Sequence, residues 1–147
     1  MLDNTANDFC VTGVKFEVGA TATGFVQESY GDALAKCFRY FERRNYDEHT
    51  NNHIAHGLNN TTTVNEGLIP FDQKRVAPSV SSTAASTFRV RYKNSAWDVP
   101  STLTFTNECN FSCTYNATVG SVLSAGEVGV LAVDSADTCY LDFDSEY

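Results

Sequence analysis

The sequence predicts a mostly β protein: an antiparallel, jelly-roll-like β-sandwich of about eight strands, preceded by one β-strand and one short α-helix. Three observations predict it. Short Thr-, Val- and aromatic-rich runs recur roughly every ten residues through the second half of the chain, with Asn, Gly, Pro and Asp between them. A single stretch, from Ser29 to Arg44, carries a helical apolar period. The chain has 147 residues, 42% hydrophobic and 19% charged, which suits one globular domain with one core.

The first element is "VKFEV". Val14, Phe16 and Val18 alternate with Lys15 and Glu17, the period-two pattern of a half-buried strand. Few residues precede it and a helix follows, so its sheet must come from elsewhere. It adds to a partner's sheet, docks on the chain's own β domain, or is the remnant of a sandwich that belongs upstream. In "SYGDALAKCFRYFERR", Ser29 can cap the helix N-terminus, with Asp32 three residues on. Leu34, Cys37, Phe38 and Phe41 then form one apolar stripe. That stripe either packs on the chain's own sheet or is a heptad-like seam for a bundle about a threefold axis.

The remaining strands are expected in "HIAHGL", "TTTVNEGLIPF", "APSVSS", "STFRVRYKN", "STLTFTN", "FSCTYNATV", "VGVLAV" and "TCYLDF". In "STFRVRYKN", Phe88, Val90 and Tyr92 face one way and Arg89, Arg91 and Lys93 the other. The expected organisation is residues 1–28 as docking strand and linker, 29–45 as the helix, and 46–147 as the distal β-sandwich domain.

Composition narrows the function. A formal charge of −8 argues against a nucleic-acid partner, which wants clustered Lys and Arg. No apolar run is long enough for a transmembrane helix, so no membrane insertion is expected. The opening "MLDNTAND" lacks the basic start and apolar core of a secretory signal. The five cysteines are an odd, scattered set and read as reduced, mostly buried thiols, with a Cys109–Cys113 bridge as the alternative. No nucleophile motif or glycine-rich phosphate loop occurs, so no enzyme activity and no cofactor are expected. The acidic end, "DSADTCYLDFDSEY", reads as solvated surface.

The stretch "GVKFEVGATATGFVQESYGDALAKCFRYFER" resembles the junction near the C-terminus of phage tail-fibre and other virion appendage proteins. That pattern is a strand V-Q-L-E-x-G, a segment A-T-P-F-E, then Y-x-x-E-L-x-x-C-x-R-Y-F/Y. Val14, Glu17, Gly19, Ala22, Thr23, Phe25, Tyr30, Leu34, Cys37, Arg39, Tyr40 and Phe41 occupy matching positions. "GLIPFDQKRVAPSV" is similar to the family's strand-turn-strand x-x-x-F-P-x-x-M-R-x-x-P-x-V, matched by Phe71, Arg75, Pro78 and Val80. Gly24 stands where Pro is usual, Lys15 where Gln is usual, and Lys74 where Met is common. The resemblance implies a virion location, a homotrimer, a strand belonging to a carbohydrate-binding-module-like sandwich, and a helix leading to a distal β domain.

With that resemblance, the expected function is a structural component of a trimeric fibre, spike or tail appendage that binds a host-surface glycan. The alternative is a capsid-decorating or connector protein that docks on other virion structural proteins by strand addition. The expected trimer seam is Leu34, Cys37, Phe38 and Phe41, and the docking strand is Val14, Phe16 and Val18. Trp97, with Tyr92 and Asn94, either contacts a glycan or plugs one end of the sandwich. His49, His53 and His56 would line one face of a helix as metal ligands. On a strand, His49 and His53 share a face and His56 takes the other, so exposed histidines and no metal are the default.

Overall fold

The structure, a computed structural model, describes residues 14–16, 18–21, 23–46, 53–93, 96–120, 122–133 and 138–146. His49 and Asn94 lie outside the described residues, as do Cys10, Glu17 and Ala22. One helix, α1 (Tyr30–Phe38), precedes ten strands. They are β1 (Phe41–Tyr46), β2 (His53–Asn59), β3 (Val64–Pro70), β4 (Ser79–Ser82), β5 (Phe88–Tyr92), β6 (Ala96–Asp98), β7 (Thr102–Thr106), β8 (Ser112–Thr118), β9 (Val128–Val133) and β10 (Cys139–Asp144).

The fold is mostly β and sandwich-like. All strand pairs are antiparallel, in a three-stranded sheet ordered β1-β10-β4 and a curled seven-stranded sheet ordered β6-β5-β9-β2-β3-β8-β7. Each of the eight runs expected after residue 46 forms a strand. Alternation makes the core. Phe88 and Val90 of β5, Tyr115 and Ala117 of β8, and Leu131 and Val133 of β9 turn inward, meeting Leu141 and Phe143 of β10. Phe143 packs on Phe71 with ring centroids 4.5 Å apart.

Three local expectations change. The helix stops at Phe38 and the chain pairs with β10 from Phe41 onward, so residues 41–45 are strand and not helix. Glu42, Arg43 and Arg44 are good helix formers, and tertiary pairing overrides them. Trp97 sits in the short strand β6 rather than in a turn. Residues 14–16 and 18 carry no strand pairing with any described residue, so the alternating pattern joins no sheet among the described residues.

A buried polar chain crosses the middle of the large sheet. The Tyr115 hydroxyl donates to Asn65 Oδ1 at 2.7 Å, and Asn65 Nδ2 donates to Asn59 Oδ1 at 2.9 Å. Burial pushes the Tyr115 phenol well above its ordinary range. The strands make room for this side chain with glycine: a Cβ on Gly57 would stand 2.4 Å from the Tyr115 hydroxyl. Tyr115→Phe leaves the Asn65 oxygen buried without its donor and is expected to cost ~1–3 kcal/mol in urea unfolding. Gly57→Ala, which forces the ring and the β3 backbone apart, should destabilise more than Tyr115→Phe in the same assay.

Candidate assembly interface

Apolar side chains stand in solvent along nearly the whole approach to β1. Phe16 is 94% exposed, Val26 85% and Tyr30 81%; Val14, Val18, Phe25, Tyr40 and Phe41 are exposed as well. No residue of α1 is buried. Within the expected seam, Leu34 and Phe38 are half-buried and Cys37 is exposed, all on α1, whereas Phe41 is exposed on the outer side of β1. The described residues therefore cover the stripe only in part, and its fourth member belongs to a strand. A run of this kind exceeds the scattered apolar exposure normal for a monomer surface.

The helix is nonetheless well made at both ends. Ser29 accepts from the Asp32 N–H at 3.2 Å, the N-cap the sequence predicts. Lys36 pairs with Glu28 along the exposed side. At the other end the carbonyls released by the last turn are taken by the β body. The Lys74 ammonium donates to the Phe38 carbonyl at 2.8 Å, the Arg75 N–H to the Arg39 carbonyl at 2.8 Å, and the Ser145 N–H to the Tyr40 carbonyl at 2.7 Å. Ser145 Oγ adds a further bond to the Arg39 carbonyl at 2.8 Å.

Lys74 is the centre of this anchor. It is 2% exposed, and its ammonium meets Glu42 Oε2 at 2.5 Å. Glu42, also buried, receives Arg44 Nε at 2.7 Å on its other oxygen and the Asp72 N–H at 3.2 Å. Burial alone would raise the Glu42 carboxyl, but the Lys74 and Arg44 hydrogen bonds outweigh it and hold the group below its ordinary 4.5. Next to this, Arg43 makes a two-pronged bond to its register partner Asp142 at 2.7 and 2.6 Å. Nothing in the single sequence paired Lys74 with Glu42. The available signal was a lysine at a position that is commonly Met in the pattern that the second stretch resembles.

The proposed glycan residues do not form one site. Trp97 is opposite Arg91 on the outer face of the large sheet, with the guanidinium 5.4 Å from its ring, while Tyr92 turns inward and packs against the core. The histidines are corrected too. A bulge between His53 and Ala55 shifts the strand by one residue, which brings His53 and His56 to the same outer face with ring centroids 6.1 Å apart. Among the described residues no group of three His, Cys, Asp or Glu is placed to hold a metal. A shallow depression of about 280 Å³ on the same face is lined by Leu58, Asn60, Glu66, Gly67 and Thr114. Among the described residues no helix is long and apolar enough to cross a membrane.

Compared with protein-family models, curated proteins and solved structures, the chain gives no match to any of the three.

Two outcomes follow from the anchor and the thiols. Glu42→Gln should destabilise the protein by ~3–5 kcal/mol near neutral pH, because the Lys74 charge stays buried with its carboxylate gone. The Glu42 contribution is complete above 4.5 and is lost as pH falls through its lower folded value. The gap between wild type and Glu42→Gln, measured by urea unfolding along a pH series, should therefore close in acid. Cys37, Cys109 and Cys113 form no disulfide. Cys37 is exposed and the Cys109 thiol is lowered by its Ser112 hydrogen bond, whereas burial pushes Cys113 up to about 12. Maleimide should label Cys37 and Cys109 in the native protein, and label Cys113 and Cys139 only after unfolding, as read by mass spectrometry.

Proposed function

We propose that the chain is a non-enzymatic structural component of a bacterial-virus virion, a unit of a trimeric fibre, spike or tail appendage whose β domain meets the host surface. The observation that carries this reading is the exposed apolar run from Val14 to Phe41, held to the β body at one end only by the buried Lys74–Glu42 pair. A helix of nine residues is marginal alone and gains stability by burying its apolar face against other helices. Three copies meeting through Leu34, Cys37 and Phe38, with Phe41 at the base, would cover that face. The resemblance to tail-fibre junctions supports the same arrangement. Its two separate stretches lie against each other here, through the Arg75 N–H on the Arg39 carbonyl and the Arg75 guanidinium 5.8 Å from the Tyr40 ring.

Host recognition in such an assembly is multivalent. Three weak glycan sites on one rigid tip exceed any single-site affinity by orders of magnitude. The outer face of the large sheet, with Trp97, Arg91, His56 and the depression beside Glu66, is the surface offered for it. One observation favours the connector reading instead: residues 14–18 have the pattern of a strand and no described sheet to join, as expected of an element that docks on another virion protein.

Light scattering of the full chain tests the proposal. The expected mass is three times the 16.1 kDa of one chain. Cys37→Asp, which alters an exposed position, should yield monomers whose β body keeps the wild-type far-UV circular dichroism. A wild-type monomer would overturn the trimer and leave the connector reading.

A further inference from the structure

Sheet edges invite strand addition unless they are short, charged or bent. The two sheets have four edge strands among the described residues: β1, β4, β6 and β7. β1 carries Glu42, Arg43 and Arg44. β4 has four residues, and β6 has three, including Asp98, with Arg91 laid over Trp97. β7 has none of these defences. It reads Thr-Leu-Thr-Phe-Thr, without charge or proline, and pairs with β8 in unbroken register from Thr102 to Thr106. Its inward side chains Leu103 and Phe105 remain half-exposed, although their partners Ala117 and Tyr115 are fully buried. Among the described residues the curled sheet thus ends on an edge with no further strand, its inner side chains packed on the core from one side.

The same chain carries a segment that fits. Val14, Phe16 and Val18 repeat at the period of Leu103 and Phe105. Paired antiparallel with Phe16 opposite Phe105 and Val18 opposite Leu103, the apolar side chains would lie on the inner side with them. Lys15 and Glu17 would lie outward beside the threonines. Residues 19–29 span up to about 36 Å when extended, enough to cross to an adjacent copy.

We infer that β7 is the acceptor edge for residues 14–18 of a second copy of this chain, each copy donating its strand to the next. Donor and acceptor are different surfaces, so the contact is head-to-tail, and in the trimer proposed above it closes into a ring. This inference rests on the assembly reading above and names the partner surface.

Hydrogen–deuterium exchange on the full chain under assembling conditions tests it. The amides of Thr102–Thr106 that point away from β8, and those of residues 14–18, should both be slowed more than about tenfold, and Phe16→Asp should release both sets together. A trimer whose β7 amides exchange alike in wild type and Phe16→Asp overturns this inference and leaves the assembly reading standing. A monomer with both segments exchanging freely overturns both. Mixing gives a second readout. Phe16→Asp lacks a donor and Thr104→Pro lacks an acceptor, so each alone should be unable to close a ring, and the mixture should stop at heterodimers. Trimers from either variant alone would contradict the inference, and if Thr104→Pro fails to fold, the exchange result decides.

Discussion

A buried ammonium group determines how this chain presents its first third. Lys74 stands among side chains, shielded from water, and such a charge is tolerable only if it is paired and its protons are used. Glu42 supplies the pairing and the Phe38 carbonyl takes a further proton. These two partners lie on either side of the point where helix becomes strand. Satisfying Lys74 therefore fixes where α1 ends, which way β1 leaves, and how the helix stands on the β body. Arg44 and the Asp72 N–H complete the carboxylate, and Ser145 and Arg75 take the next carbonyls.

The consequence is an element held firmly by its C-terminal end and only partly covered on its apolar side by the described residues. Helices of this length seldom survive without burying a face. Here the anchor replaces part of that burial and leaves Leu34, Cys37 and the segment ahead of them available for other copies. The β domain has a complete core of its own, from Ile69 and Phe88 to Phe143, so exposure at the front does not compromise the fold behind it.

Much of the body was legible because period-two alternation is local. "STFRVRYKN" and "VGVLAV" needed no knowledge of their neighbours: each became a strand, the first with Phe88, Val90 and Tyr92 inward as expected. What failed depended on distant partners. "FERRNY" continues a helical stripe with good helix formers and becomes a strand only because β10 lies alongside it. Three residues at Trp97 are too few to show a period, and the bulge that aligns His53 with His56 is set by pairing with β9. The site divides the same way. The exposed Val14–Phe16–Val18 pattern and Cys37 were readable from spacing, whereas the Lys74–Glu42 anchor joins positions 32 residues apart and has no local signature.

Covalent capture at Cys37 tests whether the anchored helix faces its counterparts in other copies. A variant keeping Cys37 as its sole cysteine would be treated with a short bis-maleimide and resolved by denaturing electrophoresis. The account predicts a strong cross-linked dimer band, two of the three chains being joined at the axis, at protein concentrations too low for random collision. Monomer alone, from protein whose Cys37 is shown to be fully reactive, would contradict it.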